Sequence, residues 1–526
     1  MTEFIGTTLA DILSGSADSD TFISYGTGAA TDWDTLIGGD GGDVYDLRRG
    51  DASFYNFIID DQGGDGAIDT MINVGRLYQS ASLGYQAWAS VERIDDDLII
   101  DTPSKPHRFR DPAEPSYHIE VKDHFAGAGV EFMVSGGVTY ALAAGDTGSD
   151  VADIVAGART ADRLTAKDGD DWVFGNNGKD TLLLGNGDDT GFGGRGQDTI
   201  RGHAGNDRLD GGDGGDRLYG GSGHDQVIGG NGNDRLAGGS GNDRLQGDAG
   251  NDKLYGGAGQ DNLNGGAGDD FMSGGKDGDV YRIAVGSETE SWGHDSIRDN
   301  GNPASWNNKD IIELAGYYGP SSGSSSDAYA RLHFTREGDD MLLSSDNGLS
   351  TLRVERMFHA DADRYFIEEL QFNAGYWTEL HFQILDGAAT DIGDDRSYAV
   401  PGYTGDLNEI LFGTDGNDQI FGNSGTNFIW TGQGADVLVY KENDPQILYG
   451  YGGGLSLDIV EDFDITNDRL DFSEINGLTL ASLSIAEDAD GDATVYWNSG
   501  DFEISSIYIE LRDVAMDDVT ADLFIF

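Results

Sequence analysis

The chain of 526 residues contains no cysteine, so neither disulfides nor thiolate chemistry can hold or regulate it, and a zinc site built on thiolates is excluded. Basic residues are scarce: 32 Lys and Arg stand against 95 Asp and Glu, a net charge of −63. That balance disfavours nucleic acid and anionic membrane surfaces as partners, and its self-repulsion opposes a compact state until counter-ions bind. No apolar run is long enough to span a bilayer. The opening segment MTEFIGTTLADILSGSADSD lacks a basic region and a sustained apolar stretch, so no Sec signal peptide is expected. None of the nine histidines forms an H-E-x-x-H pair, which argues against the helical zinc-protease site.

What the chain has in abundance is glycine, 82 residues of it, in strict phase with aspartate. Fifteen aspartates stand nine residues apart: Asp153, Asp162, Asp171, Asp180, Asp189, Asp198, Asp207, Asp216, Asp225, Asp234, Asp243, Asp252, Asp261, Asp270 and Asp279. The unit reads G-G-x-G-x-D-x-U-x, with U apolar, as in Leu209, Leu218, Val227, Leu236, Leu245, Leu254 and Leu263. One inward apolar residue per repeat predicts a strand of about three residues, too short to bury a core alone. The glycines between strands supply positive φ angles and bare backbone for tight reversals.

If two repeats form one coil, aspartates eighteen apart stack on one edge, roughly 4.8 Å apart per coil, and their charges repel unless a cation lies between them. Calcium fits: it takes six to eight oxygen ligands, tolerates irregular geometry and accepts backbone carbonyls beside carboxylates, whereas magnesium demands a tighter octahedron. Below about micromolar calcium the roll is expected to be unfolded, and at the millimolar levels of extracellular modules it should fold.

Residues 151–281 resemble the RTX β-roll, the haemolysin-type calcium-binding repeat of type I secreted bacterial toxins, proteases, lipases and alginate epimerases. The resemblance implies a ligand set: one turn gives its aspartate and the carbonyls of its second and fourth residues, and the turn eighteen residues later gives its aspartate and the carbonyls of its first and third. For one pair these are Gly212, Gly214 and Asp216 with Gly229, Asn231 and Asp234. Carried along the register, the candidate calcium ligands are Asp171, Asp180, Asp189, Gly194, Gly196, Asp198, Gly205, Asp207, Gly211, Gly220, Gly221, Gly223, Asp225, Gly230, Gly232, Gly238, Gly239, Ser240, Gly241, Asp243, Gly247, Gly250, Asp252, Gly256, Gly257, Ala258, Gly259, Asp261, Gly265, Gly266, Ala267, Gly268, Asp270 and Asp279, with Asp43, Asp418 and Asp436 outside the main roll. Thr160, Ala166, Lys167, Gly191 and Asp277 depart from the pattern, so the best sites are expected between Asp198 and Asp270.

The fold expected is all-β, a calcium-binding parallel β-roll flanked by antiparallel β domains. The divisions are residues 1–50, degenerate repeats; 51–146, a haemolysin-type β domain; 151–281, the main roll; 282–388, a second such domain; 405–441, a short second roll in which Asp418 and Asp436 stack; and 442–526, a terminal β domain resembling the secretion half of serralysin-like proteins. The two flanking domains read as duplicates. GGDGGDVYDL at 38–47 parallels GGKDGDVYRI at 274–283, and alternating runs follow in the same order, Asp97–Ile100 matching Asp340–Leu343 and Ile119–Phe125 matching Leu352–Phe358. The ending Asp522-Leu523-Phe524-Ile525-Phe526 resembles the uncleaved C-terminal signal of type I export, implying type I secretion machinery as a partner and an extracellular location.

Enzymatic motifs are weak. Gly319-Pro320-Ser321-Ser322-Gly323 matches G-x-S-x-G, but Ser324-Ser325-Ser326-Asp327 continues a loop where a nucleophile elbow needs a helix. Asp60 with Asp61, Asp95-Asp96-Asp97 and Asp339 with Asp340 read as solvated or calcium-linked surface rather than glycosidase pairs. Trp292, Trp306, Tyr317 and Tyr318 read as sheet cover rather than a sugar platform. Asp488-Ala489-Asp490-Gly491-Asp492 reads as a hairpin turn, since an EF-hand needs its glycine at loop position six and a glutamate at twelve. The expected protein is a secreted, calcium-folded structural or binding protein, with polysaccharide or cell surface as partner; the alternative is a polysaccharide-active enzyme with its site in a flanking domain.

Overall fold

The computed structural model describes residues 146–284 without interruption, 456–526 with short gaps, and elsewhere chiefly the strands. Two compact units divide the chain, Met1–Gly257 and Ala258–Phe526. Among the described residues there is no α-helix; short 3-10 turns occur near the end at Leu480–Ser482, Met516–Asp518 and Ala521–Leu523.

In the first unit each nonapeptide yields one strand, and each strand pairs in parallel with the strand eighteen residues on. Arg208–Asp213 lies beside Gln226–Asn231 with Leu209 opposite Val227, and Arg217–Ser222 lies beside Arg235–Ser240 with Leu218 opposite Leu236. Alternate strands therefore form two ladders, and two repeats make one coil. From Thr181 on the strands are six residues long, not three, because pairing continues through the first glycines, with Gly212 facing Gly230 in register, whereas Trp172–Phe174 has the three residues expected. Within each strand Leu209 and Gly211, or Leu218 and Gly220, point inward. Leu209, Leu218, Val227, Leu236 and Leu245 are wholly buried, and each contributes about 1.5–3 kcal/mol by leaving water.

The parallel ladders extend beyond the repeats. Glu3–Ile5, Thr21–Ser24, Val44–Leu47, Thr70–Val74 and Phe132–Ser135 pair successively in parallel, as do Ile12–Ser14, Asp34–Ile37, Phe54–Asp60 and Ser116–Val121. The antiparallel pairing expected in this flank occurs as hairpins hung on those ladders: Ser90–Ile94 with Asp97–Asp101, the latter also with Ser116–Val121, and Phe132–Ser135 with Val138–Leu142. Val138–Leu142 then runs parallel to Asp153–Ala156, where the main roll begins. Phe22, Tyr45, Phe57, Met71 and Ile100 fill this core, with Phe22 stacked on Tyr45 at 5.3 Å.

The second unit repeats the plan. Asn262–Ala267, Val280–Ala284, Ile311–Ala315 and Glu369–Asn373 pair in parallel. Leu332–Glu337, Asp340–Ser345 and Thr351–Val354 form the antiparallel hairpins, and Glu379–Asp386 turns back on Glu369–Asn373 before running parallel to Asn408–Phe412. The duplication read in the sequence thus corresponds to one succession of pairings used twice. The end of the chain varies it: Ser484–Glu487, Ala493–Asn498 and Ser506–Leu511 are antiparallel, Ser506–Leu511 lies parallel to Ser456–Val460, and Phe524–Ile525 joins Arg469–Glu474. The Asp488–Asp492 segment closes the hairpin between the first two of these strands through Asp488 N–H to Asp492 carbonyl, 3.0 Å.

Candidate metal centre

The strand pairing brings the predicted aspartates into columns along each edge. Asp207 donates its backbone N–H to Asp225 Oδ1 at 2.8 Å, and Asp225 donates to Asp243 Oδ1 at 2.8 Å. On the other edge Asp198 donates to Asp216, Asp216 to Asp234 and Asp234 to Asp252, at 2.7, 2.7 and 2.8 Å. In the second unit Asp261 bonds Asp279 Oδ1 and Asp418 bonds Asp436 Oδ1 in the same way. Every repeat aspartate from Asp171 to Asp279 is at most 3 % exposed.

Each carboxylate thus has one oxygen held by the coil before it. The other is stranded: Oδ2 of Asp171, Asp180, Asp189, Asp198, Asp207, Asp216, Asp225, Asp234, Asp279 and Asp436 is buried with no hydrogen-bond partner. A buried carboxylate oxygen without a partner is costly, and a row of them suits a cation as the common partner. Burial, reinforced by neighbouring carboxylates, pushes Asp189, Asp207 and Asp216 up to about 7 and Asp279 up to about 9.

Glycine shapes the cradle. A Cβ on Gly211 would lie 2.6 Å from Asp216 Oδ2 and 2.5 Å from the Gly229 carbonyl, so bare backbone here leaves room where a carboxylate and the next coil's carbonyl converge. Gly220, Gly229, Gly238 and Gly265 stand in the same relation to Asp225, Asp234, Asp243 and Asp270. At the fourth position Gly232 has φ +131°, and a Cβ there would meet the Gly214 carbonyl at 1.4 Å. The third-position carbonyls of Asn231 and Ser240 each accept an N–H from the preceding coil, Gly214 and Gly223, at 2.7 and 2.8 Å. The donor set is carboxylate and carbonyl oxygen, which suits a hard cation of calcium size.

The departures also have an account. Gly191, in the apolar slot, is packed by Leu184 and Ile200; Leu184 occupies a first-glycine position and points inward, so the two irregularities compensate. Asp162, preceded by Thr160, is only partly buried, while its neighbours along the register are fully so. Lys167, Asn176, His203 and Asp248 take positive φ at second-glycine positions, as Asp277 does at a fourth.

Sequence spacing missed part of the column. Asp20 donates to Asp43 Oδ1 across 23 residues, Asp270 to Asp295 across 25, Asp279 to Asp310 across 31 and Asp436 to Asp468 across 32. The second roll's stack therefore continues past Asp436 to Asp468. The signal was part of the motif, D-x-U with few or none of its glycines: Asp295-Ser296-Ile297, where Gly293 keeps the fourth position with φ +93°, and Asp310-Ile311-Ile312 and Asp468-Arg469-Leu470, which keep none, with each apolar residue buried. Gly319–Gly323, Trp292, Trp306, Tyr317, Tyr318, Asp61, Asp95, Asp96 and Asp339 lie outside the described residues. No helix among the described residues is long and apolar enough to cross a membrane.

Comparison with known proteins agrees with this geometry. The family model of the RTX calcium-binding nonapeptide repeat (4 copies) matches overlapping spans from 146 to 281 and again 403–438. No curated protein matches the sequence. Among solved structures, the extracellular lipase LipA from Serratia marcescens aligns at 18 % identity over 58 % of this chain and 40 % of the lipase, with a TM-score of 0.15. A hyperactive, Ca2+-dependent, β-helical antifreeze protein from an Antarctic bacterium aligns at 13 % identity over 70 % of this chain and 93 % of its own, with a TM-score of 0.18. Scores this low carry no further likeness, and this chain spans two fifths of that lipase. The repeats, their edge columns of aspartate and the family match together show that residues 146–281 and 403–438 are RTX calcium-binding nonapeptide repeats.

Proposed function

We propose that the protein is a secreted structural or binding protein whose rolls assemble on extracellular calcium, with the ligands Asp171 to Asp279, Asp418 and Asp436 and the glycine-turn carbonyls between them, and that it is not an enzyme. The observation that carries this reading is the row of buried Oδ2 atoms without hydrogen-bond partners. A chain of net charge −63 can close such a column only where calcium is plentiful, as it is outside cells. The RTX repeats support export, and type I secretion is the route we assign. The flanking segments use one succession of strand pairings twice, which favours a reusable module over a single active site.

The partner we assign is an acidic polysaccharide, met on the outer face of one roll ladder. Arg217 stands beside Arg235 in register, with Arg201 over the Tyr219 ring at 4.8 Å and Arg235 over the Tyr255 ring at 4.3 Å. Exposed cations at one per coil, interleaved with aromatic rings, form a regular counterpart to an anionic chain in a protein otherwise dominated by acids. The test passes purified full-length protein over immobilised alginate and other acidic glycans with calcium or with chelator. Calcium-dependent retention that is lost in the Arg217→Glu, Arg235→Glu double variant supports the reading. Release of oligosaccharide would overturn the non-enzymatic assignment.

A further inference from the structure

The nonapeptides end at Asp279, yet two more carboxylates gather around it. Asp299 follows the strand His294–Ile297 and Asp310 precedes Ile311–Ala315. One oxygen from each of Asp279, Asp299 and Asp310 lies within 4.8 Å of the other two, and all three residues are buried.

The cluster is prepared for a ligand. Asp279 Oδ1 accepts the Asp261 N–H at 2.8 Å, while its Oδ2 is buried with no hydrogen-bond partner. Asp310 Oδ1 is fixed by the Asp279 N–H at 2.8 Å. Asp299 Oδ1 accepts from the Tyr281 hydroxyl at 2.9 Å and from the Gly275 N–H at 3.0 Å. The Tyr281 hydroxyl in turn accepts the Gly274 N–H at 2.7 Å, on a fully buried ring. Neutral donors thus orient Asp299 through one oxygen, as outer partners orient metal ligands elsewhere.

We propose that Asp279, Asp299 and Asp310 hold a calcium ion of a different kind from those of the repeats, coordinated by three carboxylates of which two come from outside the nonapeptides. Carboxylates at this density out of water need a positive partner, and the donors are the hard oxygens that calcium takes. Because Asp299 and Asp310 bracket the segment between two strands, the ion fastens the flanking module to the last repeat.

The proposal rests on calcium being the cation of the rolls, and the test separates the two. Full-length wild type, Asp299→Asn and Tyr281→Phe are compared by equilibrium dialysis against calcium alone, with far-UV circular dichroism on each sample. Asp299→Asn is expected to bind one ion fewer with the roll signal retained. Tyr281→Phe keeps every carboxylate and should weaken one ion about tenfold while preserving the total. An unchanged count in Asp299→Asn shows that the three carboxylates share protons and no metal, and overturns the proposal. Should Asp299→Asn not fold, unchanged affinities in Tyr281→Phe overturn it equally. A wild type that binds no calcium refutes the calcium reading of the rolls themselves.

Discussion

Replacing Asp225 by asparagine tests the metal column at its centre. The amide keeps an oxygen for the Asp207 N–H but puts a neutral nitrogen where Oδ2 is stranded. Asp225 stands between Asp207 and Asp243, so both ions of its edge, below and above, lose a carboxylate. With a dissociation constant of about 10⁻⁴ M and calcium at about 10⁻³ M, each ion stabilises the fold by RT ln 11, about 1.4 kcal/mol, and losing two costs about 3 kcal/mol. Urea unfolding in millimolar calcium should show that loss, and the calcium midpoint of folding should rise. In chelator the sign changes: asparagine has no charge to bury, so the variant should keep at least as much β signal as wild type. Asp213→Asn, at an exposed acid, controls for general relief of negative charge and should stay within about 0.5 kcal/mol. If Asp225→Asn behaves like Asp213→Asn in calcium, or loses as much stability in chelator as in calcium, the carboxylate is not a ligand.

Three further outcomes are expected. Gly232→Ala combines left-handed backbone with a clash against the Gly214 carbonyl and should cost about 2–5 kcal/mol, whereas Gly215→Ala, whose nearest neighbour is 3.4 Å away, should be close to neutral; equal urea midpoints for the two would refute the stacking geometry. Without metal, Asp189, Asp207 and Asp216 are raised to about 7 by burial, so their contribution favours the folded state at acid pH and is lost as pH rises from about 4 through 7. Chelated protein should therefore lose β signal over that range while calcium-loaded protein gains stability, and calcium added near pH 6.5 should release protons measurable by pH-stat. Leu236→Ala removes a wholly buried side chain from the roll and should cost about 2–4 kcal/mol in millimolar calcium, read by thermal unfolding.

Periodicity made the roll legible because strand and turn are both contained in nine residues. Asp216, Leu218 and the glycines from Gly211 to Gly214 each have one structural duty, and together they state the coil, its core and its edge. The flanks were harder to read for a physical reason. Where the return path is an insertion instead of a nine-residue turn, the glycines no longer keep their register and only the D-x-U part entering the sheet survives. Asp295, Asp310 and Asp468 keep their place in the column although their spacing is irregular. Alternation in short runs such as Asp97–Ile100 argues antiparallel strands, and the hairpins follow it; Ser116–Val121 alternates in the same way yet also returns parallel to Phe54–Asp60, a direction that its neighbours decide. Asp299 could not be found by spacing at all, since its place depends on Tyr281 and on backbone N–H groups distant in sequence.

The hydrogen bond from each aspartate's N–H to the carboxylate of the following coil gives the structure a direction. Each coil presents a donor that only its successor can satisfy, so the assembly behaves as a one-dimensional lattice with nearest-neighbour coupling and polar ends. A fragment cut after residue 281 would leave the N–H groups of Asp270 and Asp279 without the acceptors that Asp295 and Asp310 supply. The segment after the roll thus closes its donor column, and nonapeptides before it could be added or removed by whole coils of eighteen residues without any change at that end.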